Sequence, residues 1–255
     1  MTHAVICAYA RSPFTPAHKG DLIGVRPDDI GAAVIDGLLD KAGLDPHLVE
    51  DILCGCAFPE GEQGFNLGRQ LVFLSKLDKK TGGSTVNRWC GSSMQAIHMA
   101  AGNIPMGGGE IFIAMGVESM TRIPIGGFNP MPNPALYESY PEAYMNMGET
   151  AEEVATLKNV ERKAMEEFAL KSHQKAAAAD LSGEIIEVAG VSSDGCIRGD
   201  STLEKMAELN PAFREEGRVT AATSSPLTDG AAAVIVASEE AAEKHGLPKL
   251  ARIKS

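Results

Sequence analysis

Long apolar runs are missing from this chain. None approaches the roughly 20 consecutive residues a membrane-spanning helix requires, and the first residues, MTHAVICAYARSPF, lack the basic lead, apolar centre and small-residue cleavage site of a secretory signal. A cytoplasmic location is expected. Basic charge is scarce as well: 23 Lys and Arg stand against 34 Asp and Glu, a net charge of -11, which argues against a general nucleic-acid binder. A negatively charged substrate therefore needs a local basic patch. The five cysteines, Cys7, Cys54, Cys56, Cys90 and Cys196, are odd in number and irregularly spaced, which speaks against a disulfide framework and fits reduced thiols. No metal site is expected either. Cys54 and Cys56 stand two apart in DILCGCA, so both side chains face one way on a strand, and no second Cys or His pair stands at ligand spacing. They read as small core residues.

What is present is a globular composition. With 255 residues, 44% of them hydrophobic, the chain is long enough for one large domain or two smaller ones. Strand-like runs alternate with helical patterns: HAVICAYA, then a helix opened by Pro27, Asp28 and Asp29, then DILCGCA, then a helix over about 66–77. In the first helix Ile30, Val34, Leu38 and Leu39 fall at helical spacing and Gly43 marks its end. Downstream, STVN reads as a strand, GSSMQAIHMAAGNI as a helix, and IFIAMGV and AAAVIVAS as buried strands. The alternation predicts βαβ units and a mostly parallel sheet. Between Glu118 and Asp229 the texture changes to Pro- and Gly-rich segments, a charged helix over about 160–181 and short strands near 185–191. Residues 1–118 and 229–255 are thus expected to form an α/β domain interrupted by a subdomain at 119–228. The final LARIKS looks like a strand that is just beginning.

Cys90 lies in VNRWCGSSMQAIH, between a strand and a helix whose first turn is Gly91, Ser92 and Ser93. The free N–H groups and positive end of that helix favour a thiolate, and the small residues let a substrate approach. Spacing alone also allows a buried structural cysteine. His98 is eight residues further along, about 12 Å up the same helix at roughly 1.5 Å per residue, too far to serve as a base; it reads as a packed or capped core histidine. Gly107, Gly108 and Gly109 follow a helix and precede a strand, the reverse of a phosphate-cradling order, and read as a turn. Lys171, His173 and Lys175 decorate the charged helix and face solvent, with a phosphate as one available partner.

VNRWCGSSMQAIH resembles the acyl-cysteine motif of the thiolases. EQGFNLGR (62–69), GVESM (116–120), MGETAE (147–152), the EEFALKSHQKA helix and VTAATSSPLTDGAAA (219–233) resemble further thiolase segments in the same order, and EQGFN, NRWCGSSMQAIH and TSS are similar to the 3-ketoacyl-CoA thiolases of bacterial fatty-acid β-oxidation. The resemblance spans essentially the whole chain. It implies an α/β fold, the N-terminal half of the thiolase architecture, with a mixed five-stranded sheet flanked by helices and an inserted α/β loop subdomain that binds coenzyme A and substrate.

The resemblance implies acyl transfer through Cys90: thiolytic cleavage of a 3-ketoacyl-CoA by CoA, or the reverse Claisen condensation. CoA is then a substrate, and no permanently bound cofactor is expected. Met147 matches a methionine of the acyl pocket, though a methionine there is equally a core filler. Ser225 matches a serine near the pantetheine arm, though it also suits a turn before Pro226. Arg198 matches an arginine near the CoA nucleotide, or is a solvated charge. Asn146 occupies a place where the family often has histidine, Asn210 one where a basic residue is common, and Ala222 and Thr223 replace a common Gly and Asn, the threonine in keeping with the β-oxidation branch. A ketoacyl synthase shares the fold, but MGETAE and TSSPLTDG favour thiolase.

Thiolases also have a second half, which supplies a histidine in a GHP motif, a cysteine in a CxGGG motif and an asparagine that positions water. None of these motifs occurs here. The expectation is that this C-terminal half is absent, that turnover fails without it, and that one apolar face is left exposed, as in a truncated form or one subunit of a split enzyme. A dimer or tetramer through family-type contacts is expected, with EQGFNLGR resembling a dimer-contact segment. The alternative function is a noncatalytic acyl-CoA-binding or assembly subunit.

Overall fold

A computed structural model describes residues 3–254; Met1, Thr2 and Ser255, the outermost residues of the expected α/β domain, lie outside it. In chain order the elements are β1 (Ala4–Arg11), β2 (Thr15–Pro16), α1 (Pro27–Ala42), β3 (Asp51–Gly55), α2 (Leu67–Leu74), β4 (Gly82–Val86), α3 (Ser92–Asn103), β5 (Ile111–Ser119), α4 (Pro134–Ser139), α5 (Met147–Leu157), α6 (Arg162–Ala178), α7 (Leu203–Ala207), β6 (Thr228–Ser238), α8 (Glu239–Lys244) and β7 (Ala251–Arg252). Two compact units emerge. The first comprises Met1–Phe128, Leu181–Gly195 and Thr228–Ser255, and the second Asn129–Asp180 and Cys196–Leu227.

The first unit is built on one sheet in the order β4-β3-β5-β6-β1-β7, with β2 paired to β6. Strands β4, β3 and β5 are parallel, while β6 runs antiparallel to both β5 and β1. The sheet is therefore mixed rather than mostly parallel. The reason is local: α2 and α3 carry the chain back across the sheet before β4 and β5, as parallel neighbours require, whereas β5 ends at Ser119 opposite Asp229 near the start of β6. The chain leaves and re-enters the sheet at the same end, so those strands pair as a hairpin with a long excursion at its tip.

Side chains alternate along the strands and divide the core by face. Ile52, Cys54, Ile113 and Met115 pack with Ile30, Val34, Leu38 and Leu71 from α1 and α2. Leu53, Phe112, Ala114 and Val236 pack with Ala96 and Ala100 of α3, and with Ile104 just after it, on the opposite face. Moving left from β3 to β4 and then right to β5 puts the two right-handed crossovers on opposite sides. α1 begins with Pro27 in its first turn and ends at Gly43 in the left-handed region at φ 60°, a backbone setting suited to glycine. Helix α3 alone covers only part of its face: Tyr9, Met94 and Met99 are exposed, and a groove of about 190 Å³ lined by Tyr9, Ile97, Ala114 and Val234 opens beside it.

Two segments differ from the sequence-based boundaries. Residues 120–128 and 181–195 belong to the sheet unit rather than to the insertion: the Thr121 N–H donates to Asp229 at 2.9 Å and the Phe128 N–H to Glu60 at 2.7 Å, while the Arg11 guanidinium donates to Asp194 at 2.7 and 2.8 Å and to Glu184 at 2.7 Å. Near residues 185–191 there are single bridges, Arg11 to Ile185 and Val188 to Val191, instead of strands. The hydrogen-bonding capacity of this segment goes to the sheet margin.

The second unit is helical. Asn146 caps α5 by accepting the Glu149 N–H at 2.9 Å, and Thr202 caps α7 through the Lys205 N–H, each satisfying an N–H that the helix cannot. Arg162 at the start of α6 pairs with Glu166 at 2.7 Å and donates to Met206, Ala207 and Leu209 carbonyls, closing the end of α7. The charged helix runs Arg162–Ala178, shorter at both ends than its sequence pattern.

Candidate active site

Cys90 is exposed and stands just before Gly91, the N-cap of α3. The turn that presents it is tied together by small polar groups. Buried Ser92 accepts the Arg88 N–H at 2.9 Å and donates its hydroxyl to the Trp89 carbonyl at 2.5 Å. Trp89 has φ 47°, a setting rare for a bulky residue, and its N–H is held by Asn87 Oδ1 at 2.9 Å. Asn87 in turn donates to the Ala57 carbonyl at 3.0 Å, and the Phe58 and Trp89 rings meet edge to face at 5.4 Å. The cysteine turn is thus tied to the 57–58 loop.

That loop is fixed by a carboxylate. Glu118 accepts the Ala57 N–H at 2.6 Å, the Phe58 N–H at 3.3 Å and the Gln63 amide at 2.7 Å. Gln63, fully buried, also donates to the Phe58 carbonyl and accepts the Ser119 N–H at 2.6 Å. The Cys56 thiol donates to Glu118 at 3.6 Å, and burial followed by that carboxylate's charge pushes the thiol far above its ordinary range. Burial first, then Glu118, pushes Cys54 up to about 12. Both cysteines face the α1 and α2 core, where a thiolate is disfavoured. Asp229, also fully buried, accepts from the Ser119 hydroxyl at 2.9 Å and from the Thr121 N–H at 2.9 Å, joining the TDG segment to the end of GVESM.

The seat of α3 is made of glycine. Gly55 and Gly116 pair across β3 and β5, and a Cβ on Gly55 would stand 2.4 Å from the Ser93 nitrogen, while one on Gly116 would stand 1.9 Å from the Ser93 hydroxyl oxygen. The first turn of α3 therefore lies directly on the sheet backbone. His98, placed in the core by its sequence setting, is exposed, because the small residues Ala96 and Ala100 form the buried face. Gly107 and Gly108 close α3 by donating to the Ile104 and Asn103 carbonyls, a connecting turn before β5.

The remaining sequence candidates all belong to the second unit. Met147 opens α5 and is 67% exposed, so in this chain it fills no core. Beside it, the Asn146 side-chain oxygen is committed to its cap. Gly148 lies against Phe213, whose ring atoms would be 2.2 Å from an added Cβ. Ser225 is exposed and donates to the Pro226 carbonyl at 3.3 Å. Arg198 is exposed, and its backbone N–H donates to His173 Nδ1 at 3.2 Å. Arg198, His173, Lys205, Thr202 and Ala222 line one open cavity of about 220 Å³ together with Asp200, which pairs with Lys205 at 3.6 Å. Lys171 and Lys175 are exposed. Among the described residues no group of His, Cys, Asp or Glu is arranged to hold a metal ion, and no helix is long and apolar enough to cross a membrane.

A strand-to-helix cysteine seated on paired glycines, together with the motif order, can be compared with known families. The model described as "Thiolase, N-terminal domain" matches residues 4–240. This chain belongs to the thiolase family. It is 42% identical to a 3-ketoacyl-CoA thiolase of Saccharophagus degradans, the match covering 98% of this chain and 68% of the relative. A 3-ketoacyl-CoA thiolase of Bacillus subtilis is 40% identical over 100% of this chain and 71% of the relative, and one of Pseudoalteromonas translucida is 40% identical over 100% and 69%. About 30% of each thiolase relative has no counterpart in this chain. Asn87, Gln63, Glu118 and Asp229 were not singled out from sequence as functional, although each lies within a motif, and Ser92 was read only as a small residue of the first turn; the contacts reveal their work.

Proposed function

We propose that the chain carries the acyl-accepting part of a thiolase acting on 3-ketoacyl-CoA. The observation that supports this reading is the exposed Cys90 sulfur at the mouth of α3, held by the Ser92 and Asn87 turn. Its thiolate attacks the 3-keto carbon, the C2–C3 bond breaks, and the electron pair remains on C2 of the departing acetyl-CoA, which takes up a proton. The shortened acyl group stays on Cys90 Sγ. The thiolate of a second CoA then attacks the acyl carbonyl, the carbon–sulfur bond to Cys90 breaks, and acyl-CoA leaves with the enzyme thiolate restored. Run backwards, the same steps condense two thioesters.

Helix α3 contributes the positive end of its dipole to the anionic sulfur, while the Gly91 and Ser92 N–H groups are taken by the Arg88 and Trp89 carbonyls at 3.0 Å. A base for the thiol and an acid for the carbanion are expected from the portion of the relatives that this chain does not match. In the second unit, Met147 and Asn146 contact the acyl chain or thioester, Ser225 the pantetheine arm, and Arg198 the nucleotide phosphates; the exposed Arg198 guanidinium beside His173 in the cavity lining supports the last assignment. The second unit, Asn129–Asp180 with Cys196–Leu227, is the CoA-binding subdomain on this reading. A cytoplasmic homo-oligomer completes the proposal.

The test is intact-mass spectrometry of the protein, complemented with the C-terminal segment of a relative, after mixing with a 3-ketoacyl-CoA. An acyl increment on the Cys90 peptide that Cys90→Ser abolishes is the expected result. CoA binding with no adduct under any condition would instead make the chain a noncatalytic acyl-CoA-binding subunit.

A further inference from the structure

Helix α5 and the segment leading to Ser225 are fastened together by one buried carboxylate. Glu152 is 3% exposed. It accepts the Arg218 N–H on both oxygens at 2.9 Å and the Val219 N–H at 2.8 Å. A Cβ on Gly217 would lie 2.4 Å from Glu152 Oε1, so the approach of this backbone depends on glycine. Arg218 returns the contact, donating to the Ala155 carbonyl at 3.3 Å and the Val160 carbonyl at 3.0 Å.

From Val219 onward the chain is a tight hydroxyl-stabilised turn. Thr220 is fully buried, its N–H donates to Thr223 Oγ1 at 3.0 Å, and the Ser224 hydroxyl donates to the Thr220 carbonyl at 2.8 Å. Val219 also accepts the Ala212 N–H at 2.9 Å. The turn is stiff within itself, and Glu152 ties its root to α5. One end of α5 bears Asn146 and Met147, the other side of the tie bears Ser225, and the carboxylate sets the register between them.

We infer that Glu152 is a positioning residue for thioester binding: it touches no ligand, and holds the Asn146–Met147 and Ser225 segments at the spacing that a CoA arm spans. This inference rests on the CoA assignment made above. Oε1 accepts both the Arg218 and Val219 N–H groups while Oε2 accepts only the Arg218 N–H, so an amide here loses the charge and sets its NH2 donor against the Arg218 N–H.

The experiment is calorimetric titration of coenzyme A into the full chain, well below the melting temperature, with Glu152→Gln and with Glu153→Gln as the neighbouring exposed control. Amide exchange across residues 217–225 is measured in parallel. Glu152→Gln is expected to weaken CoA binding about tenfold and to speed exchange at Arg218 and Val219 by a similar factor, while Glu153→Gln matches the parent. A Glu152→Gln protein that melts earlier but binds CoA with parental affinity when folded has a merely structural acid there, and the inference fails while the CoA assignment stands. Equal losses from both variants also overturn it. If the parent chain itself takes up no CoA, the assignment fails and the inference falls with it, whereas faster exchange at Arg218 and Val219 alone would show only the tie.

Discussion

Replacing Gly55 by alanine probes whether the α3 seat positions Cys90, the proposed nucleophile. The new methyl carbon would lie 2.4 Å from the Ser93 nitrogen and 2.5 Å from the Ser92 carbonyl carbon, against ordinary contacts of about 3.5–4.0 Å. Both atoms are backbone at the first turn of α3, so no side chain can swing away, and the turn must lift by about 1 Å. Overpacking of this kind costs about 1–3 kcal/mol, and at about 2–4 °C per kcal/mol for a chain of this size the melting temperature should drop by several degrees. A displacement of about 1 Å at the reacting atom can cost about 100-fold in rate, so Cys90 acylation in the complemented enzyme should fall far more than stability does. Circular dichroism melts and stopped-flow mass spectrometry read the two effects separately. Gly102→Ala, on the same helix with nothing within 4 Å of the added carbon, should gain about 0.5–1 kcal/mol from helix propensity. Were Gly55→Ala to melt and acylate like the parent, the seating argument would be wrong.

Three other outcomes follow from the same contacts. Arg11→Met strands Asp194 and Glu184, whose side chains are 11% and 32% exposed; a loss on the order of 2–3 kcal/mol is expected, below the roughly 3–5 of full burial because water screens Glu184. Burial raises the Asp194 carboxyl but hydrogen bonds from Arg11 and the Phe14 N–H outweigh it, leaving the value below its ordinary 3.8. That contribution is therefore complete above pH 3.8 and is lost as pH falls through the lower folded value, so acid titration of stability should show a component that Arg11→Met lacks. Native-state labelling with a thiol reagent should mark Cys90 first and leave Cys54 and Cys56 untouched until unfolding, since both are buried and pushed up; early labelling of either, by peptide mapping, would contradict the core assignment. Ser92→Ala should remove protection from the Arg88 amide by about tenfold in hydrogen exchange, and unchanged protection would refute the Ser92 clasp.

The sequence by itself determined the local elements and the setting of Cys90. Apolar spacing and the Pro27 and Gly43 signals define α1 because they act within a few residues, and the Cys90 address between strand and helix is likewise local. Motif order was enough to mark the family. Only the tertiary structure decided the antiparallel return of β6, the capture of residues 181–195 by Arg11, the exposure of His98, and the pairing of Gly55 with Gly116 beneath Ser93. The hydrogen-bonded tie from Gln63 and Glu118 to the Cys90 turn, and that from Glu152 to Arg218 and Val219, also became visible there. The physical reason is separation along the chain: these contacts join residues tens to nearly two hundred positions apart, and neither a glycine's crowding nor a carboxylate's partners is encoded in its neighbours.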